Sequence, residues 1–430
     1  MKRRNFLAAA VVLISTAGLT ACSGAAGPAE NPGAGAAGAD GKTNLSIAVW
    51  NFAGTPEFKA LFDAYEAANP NVKIEPIDIL ADDYPEKVTT MLAGGDTTDV
   101  LTMKNVIDYS RYSGRGQLLE VTDTVKSLDS TNTAGLETFA QDGKYFAIPY
   151  RQDFWLLYYN KGIFDAAGEK YPEQMTWEQY NALAKKLTTK KDGKPVYGTY
   201  HHTWRSVIQA TASAQNDGDL VSGDYGFMKK MYENALDLQN AGAALDFGTA
   251  KSQQTGYRSM FETGQTAMMP MGTWYISGIA QAHKSGASDV EWGLAPMPQN
   301  SATGDVTTFG SPTAFAVNKN AKSADEAVKF LAWAAGADGA KAITAIGVVP
   351  ALQGDAITEA YFKLEGMPTD DVSKAAFLPK TVKLEMPVSE FASDVDAILN
   401  EEHELVMIKD HSIEDGIAAM DKRVKSEVLN

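Results

Sequence analysis

Cysteine occurs once in 430 residues, at Cys22. No disulfide can close within the chain, and no cysteine zinc site can form in it. Histidine is nearly as scarce: His201, His202, His283, His403 and His411 are all there are. No HExxH pair and no GxSxG nucleophile elbow occurs, which removes the commonest metallohydrolase and serine-hydrolase signatures. Basic charge is also short, 38 Lys and Arg against 54 Asp and Glu, a net of −16. Residues 1–21 hold only Lys2, Arg3 and Arg4 among charged groups, so the remainder stands at 35 against 54, or −19. Such a surface repels nucleic acid and anionic headgroups.

What is present begins with an export signal. Lys2-Arg3-Arg4 precedes the apolar stretch Phe6 to Leu19, interrupted only by Ser15, Thr16 and Gly18. That is a charged leader and an apolar segment too short to span a bilayer as a mature helix. It ends in Leu19-Thr20-Ala21-Cys22, which resembles a bacterial lipoprotein signal with cleavage before the cysteine. The thiol would then carry the diacylglycerol anchor, at about 0.8 kcal/mol per buried CH₂. Arg3-Arg4-Asn5-Phe6-Leu7 also resembles a twin-arginine signal, and general secretion remains open beside it. Residues 22–43 are rich in Gly, Ala, Pro, Ser and Asn and read as a flexible tether. Gly33-Ala34-Gly35-Ala36-Ala37-Gly38 matches GxGxxG, but no strand precedes it and no helix follows. Gly41-Lys42-Thr43 ends like a phosphate loop, yet Ala36 stands where its first glycine belongs.

Beyond the tether the length suits two lobes. Leu45 to Trp50 predicts a strand. Pro56 opens a helix with Phe58, Leu61, Phe62 and Tyr65 on one face, and Asn69-Pro70 stops it. Val72 to Ile79, Tyr84 to Leu92 and Asp99 to Met103 continue the alternation, which predicts a parallel sheet with right-handed crossovers. Phe146 to Asn160 is a long apolar and aromatic segment that can cross between lobes. Thr176-Trp177-Glu178-Gln179 and Ser323-Ala324-Asp325-Glu326 both read as capping boxes. Glu291 to Pro298 and Phe315 to Asn318 predict strands, and Val388 to Val428 is mostly helical. Asn216-Asp217-Gly218-Asp219 lacks the later EF-hand ligands and predicts a polar loop; no metal or cofactor is expected.

The order of segments resembles family 1 extracellular solute-binding proteins of ABC importers, the maltose-binding-protein-like group. Asp99-Val100-Leu101, Ile148-Pro149 through Leu157-Tyr158-Tyr159-Asn160-Lys161, Phe261 to Trp274, Phe309-Gly310 through Asn318-Lys319 to Phe330-Leu331, and Gly347-Val348-Val349-Pro350 carry the resemblance. It implies an α/β, two-lobed periplasmic-binding-protein-like fold of type II. The signal would cover 1–21 and the lipidated tether 22–43. An N-lobe would join 44–152 to 299–349, and a C-lobe 153–298 to 350–430, across a hinge. It further implies a monomer that performs no chemistry, captures a neutral oligosaccharide, and docks on the permease at the extracellular face of the cytoplasmic membrane.

A neutral sugar offers C–H faces to flat rings and hydroxyls to planar polar groups. Seven tryptophans are available. Trp177, Trp292 and Trp333 read as core. Trp274 falls where the family stacks its ligand, and Trp50, Trp155 and Trp204 are further candidates. Asp153 holds the offset at which maltose-binding relatives place a sugar-bonding carboxylate. Asn51, Lys104, Asn105, His202, Arg205 and Glu385 complete the candidate set. Arg151-Gln152 beside Asp153 and the His201-His202 pair depart from the maltose pattern. Two other classes stay open: a hydrolase using a carboxylate pair, and a surface adhesin.

Overall fold

The computed structural model describes residues 41–128 and 132–430. The export signal, Cys22 and the tether up to residue 40 lie outside the described residues. The tether gives way early: Thr43 already begins the first strand, its N–H donating to the Asn71 carbonyl at 2.8 Å.

Three strands open the chain: β1 (Thr43–Trp50), β2 (Val72–Ile79) and β3 (Val100–Met103). Both β2 and β3 pair with β1 in parallel, in the order β2-β1-β3. The helices between them return the chain to the same end of the sheet. In the first, Pro56–Ala68, proline at the start loses no hydrogen bond, and Phe58, Leu61, Phe62 and Tyr65 bury one face. The alternation read from sequence is therefore realised as a parallel crossover sheet.

After a small hairpin, β4 (Ala140–Gln141) with β5 (Lys144–Tyr145), comes the 13-residue β6 (Ile148–Asn160). It is buried almost throughout because both its faces are covered. The later strands are β7 (Thr189–Lys191), β8 (Lys194–Thr199), β9 (Thr266–Gly272), β10 (Trp292–Ala295), β11 (Thr307–Val317) and β12 (Thr381–Leu384). The sheet runs β2-β1-β3-β11-β6-β9-β8-β7, with β10 on β6 and β12 on β11.

Two strands thus belong to both halves. The early part of β6 pairs with β11, its later part with β9 and β10. Two separate cores flank this crossing. One packs residues from Leu45 to Tyr150 with residues from Ala314 to Val348. The other packs residues from Phe154 to Phe309 with residues from Tyr361 to Val424. The chain passes from one to the other between Tyr150 and Phe154, and back between Phe309 and Ala314. The return lies inside β11, about a dozen residues later than the sequence reading of 298/299, because Thr307–Phe309 still packs with the second core. A third crossing follows, where Gln152 N–H donates to Val349 and Ala351 N–H to Tyr150.

The two expected capping boxes part company. Thr176 and Gln179 form theirs, opening the helix Trp177–Leu187. Ser323 caps nothing with its side chain: its hydroxyl donates to the Asn44 carbonyl, and Glu326 accepts instead from the Tyr65 hydroxyl at 2.6 Å. The helix still starts there, and Gly336 divides the Ala-rich run that follows into Ala324–Ala335 and Ala337–Thr344. The strand expected over Phe315 to Asn318 is the end of the longer β11.

Candidate functional site

At the C-lobe end of β9 the chain turns sharply into the helix Tyr275–Ser285, and Trp274 sits on the turn. Its half-buried ring lies 6.1 Å from that of Trp204, with 55° between their planes. Trp204, 38% exposed, also meets His202 at 4.3 Å and Tyr257 at 6.0 Å. Four rings from three segments therefore form one aromatic wall. Trp155 stands behind it, edge-on to both Trp204 and Trp274.

The N-lobe loops after β1, β2 and β3 supply polar groups. Asn51 is left-handed, φ 42°, a conformation asparagine tolerates, and its Oδ1 accepts the Ala81 N–H at 3.1 Å. Lys104 Nζ donates to the Ala81 carbonyl at 2.9 Å and lies 5.6 Å from the Trp50 ring centroid. Burial lowers the Lys104 pKa, against the pull of Asp82 and Glu385. Asp82 acts on His202 as well, whose ring burial holds down at about 4 and therefore neutral at physiological pH. The lobes also touch directly: Arg258 Nη2 reaches the Gly54 carbonyl at 3.5 Å, Arg111 pairs with Asp394 at 2.9 Å, and Ser393 donates to Asp108 at 3.0 Å.

Glu385 lies at the crossing, its N–H donating to Gly310 at 2.8 Å. Burial raises its pKa, while Arg205, Ser206 and Lys104 oppose this. Asn105 sits nearby in sequence to Lys104, but its Oδ1 is taken by the Ile107 N–H at 2.9 Å.

Four expectations are corrected. Trp155 is 1% exposed and stacks on Phe309, so it supports the wall from inside the core. Trp50 is 7% exposed, held edge-on by Phe58 and Tyr84, and is an N-lobe core ring with Lys104 above it. Arg205 is buried and committed to Asp396, with Nε to Oδ1 at 2.6 Å, and to Gln209. It is a structural ion pair. Asp153 is buried too: Oδ2 pairs with Arg151 Nε at 2.7 Å and Oδ1 accepts from Thr273 at 2.9 Å, leaving it turned into the hinge. Trp177 and Trp292 are core, as read, and Trp333 is half-buried against Tyr65.

Sequence reasoning missed Tyr257, Asp82 and Thr273. Tyr257 had a usable signal, an aromatic opening the short helix Tyr257–Glu262 just before the segment that leads to Trp274. Among the described residues, no group of three or more His, Cys, Asp or Glu is arranged to hold a metal ion.

A family profile described as bacterial extracellular solute-binding protein matches residues 50–341. A sugar transporter from Rhizobium etli, solved in an open conformation, is 36% identical, with 89% of this chain and 99% of that one aligned at a TM-score of 0.76. An ABC substrate-binding protein from Listeria monocytogenes, solved with cycloalternan, aligns over 90% of this chain and 99% of its own at a TM-score of 0.78 and 20% identity. An arabinooligosaccharide-binding protein of Halalkalibacterium halodurans is 26% identical over 257 residues, 55% of each chain. The architecture is the two-lobed type II fold of these binding proteins.

Proposed function

We propose that the solute of this chain, which belongs to the bacterial extracellular solute-binding proteins, is an uncharged oligosaccharide. The observation that carries the reading is the wall formed by Trp204, Trp274, Tyr257 and His202, with Asp82 of the N-lobe loop after β2 acting on His202. Flat rings suit the C–H faces of pyranoses. Asn51, Lys104, Asn105, His202 and Glu385 are the groups we assign to the hydroxyls. The cations at the crossing are already engaged: Arg151 with Glu57 and Asp153, Arg205 with Asp396. Neither arginine is left to select a phosphate or carboxylate, which favours a neutral ligand. The named relatives that bind oligosaccharides point the same way.

In this reading ligand contacts made to both lobes favour the closed arrangement, and the closed form is what an ABC importer's membrane subunits receive. The protein acts as a monomer without catalysis, tethered by a lipid on Cys22 at the extracellular face of the cytoplasmic membrane once residues 1–21 are removed. Calorimetric titration with gluco-, galacto-, manno- and xylo-oligosaccharides tests it. One series should bind saturably and quench tryptophan fluorescence, and Trp274→Ala should abolish both signals. Silence across all four series, or release of monosaccharide, would overturn the reading.

A further inference from the structure

Five buried polar side chains meet where the lobes join. Glu57 lies in the first turn of the N-lobe helix Pro56–Ala68 and is 3% exposed. Arg151 and Asp153 are two apart on β6, so both point to one face of it. Thr313 lies on β11, the other crossing strand, and Thr273 closes β9 in the C-lobe.

One guanidinium touches three of these elements. Arg151 Nη1 pairs with Glu57 Oε1, Nη2 donates to Thr313 Oγ1 at 3.1 Å, and Nε pairs with Asp153 Oδ2 at 2.7 Å. The chain of contacts continues from Asp153 to the Thr273 hydroxyl at 2.9 Å, and Thr273 N–H donates back to Phe154 at 2.9 Å. The next residue is Trp274. An unbroken polar path therefore runs from the N-lobe helix, through the hinge, to the residue that sets the aromatic wall.

We propose that Arg151 is a positioning residue that fixes the angle between the lobes, through Glu57 on one side and Asp153 and Thr273 on the other, without touching the solute. This rests on the two-lobe fold and not on the identity of the ligand. Two carboxylates share one guanidinium here, and burial raises the pKa of both, against the pull of Arg151. Replacing a buried ion network of this kind by well-packed apolar side chains is often neutral or stabilising, so stability alone does not account for it. The planar fork of arginine donates to Glu57 and Thr313 in fixed directions, with Asp153 held beside Nε as an ion pair. Rotation about 151–154 and 310–313 moves Glu57 relative to Thr273, and one fork cannot hold both ends at every angle. The network therefore favours one arrangement of the lobes.

Spin labels at Glu86→Cys and Ala182→Cys, exposed positions on opposite lobes, report the inter-lobe distance in the ligand-free full chain carrying Cys22→Ala. Glu57→Gln keeps the shape of the side chain and removes its charge; Arg151→Met and Arg151→Lys remove the fork. The expected result is a distance distribution at least about twice as broad, or a second population, in all three variants. Arg151→Lys should fail to keep the distribution narrow, since a point charge cannot serve both carboxylates. Glu57→Gln carries the test should Arg151→Met not fold. An unchanged distribution in folded Glu57→Gln, with only the melting temperature lowered, would overturn the assignment and leave the cluster as packing.

Discussion

The indole of Trp274 lies so close over Gly272 that a Cβ on that glycine would fall 1.9 Å from the ring's Cζ3. No side chain fits between them. Gly272→Ala should therefore push the ring off its seat, with a stability loss of about 1–3 kcal/mol by thermal melt and loss of the sugar titration signal. Trp274→Ala removes the ring without strain and should lose the same signal with a smaller stability cost. Retained affinity in Gly272→Ala would show that the seat of this ring is unimportant to binding.

If the ligand is uncharged, its affinity should not respond to salt. Titrations at about 50 mM and about 500 mM NaCl should agree within about twofold, since screening acts only on unpaired charge–charge attraction. A tenfold weakening would instead indicate an ionic ligand group meeting Lys104 or Arg258.

Arg205 predicts an asymmetric pair of variants. Asp396→Ala leaves a buried guanidinium with only Gln209, Met386 and the nearby Glu385, and should cost about 2 kcal/mol in urea denaturation. Arg205→Met removes the charge along with its need for a partner and should cost less. Equal losses, or none for Asp396→Ala, would count against an energetic role for the pair.

Three histidines, His201, His202 and His403, line a small cavity of about 10 Å³. His403 is 2% exposed, its Nδ1 sits 3.0 Å from the Tyr232 hydroxyl, and burial pushes its pKa to about 3, with Arg205 and Lys251 acting in the same direction. Burial takes His201 and His202 to about 4. Each folded-state value lies below the ordinary 6.5, so the unfolded chain takes up protons first as pH falls. The histidine contribution to stability should be flat above about pH 7 and decline below it, with His403 losing about 2–3 kcal/mol between about pH 7 and pH 4.5. Melting curves of His403→Gln should show a shallower decline over that interval. An identical slope would mean that other groups dominate the acid sensitivity.

The regular elements were legible because their signals are local. Phe58, Leu61, Phe62 and Tyr65 repeat at helical spacing, and Pro56 and Asn69-Pro70 mark the helix ends. The roles of Asp153 and Arg205 were not legible, because their surroundings come from distant segments. Asp153 meets Thr273 120 positions away and Arg205 meets Asp396 191 positions away, and neither pairing leaves a local trace. Trp155 misled for another reason. A strand covered on both faces shows no alternation, so β6 gives no hint of which rings point outward. Ser323 and Glu326 had the right spacing for a capping box, but Asn44 and Tyr65 claimed their side chains.

The sharing of β11 between the lobes bears on how the chain is made. Met103 finds its β11 partner Ala314 only after more than two hundred further residues have been synthesised. Until then the first lobe lacks the strand that covers the open edge of β3, so it cannot close as a unit while the ribosome is still at work on the second. Contacts of such long range slow folding.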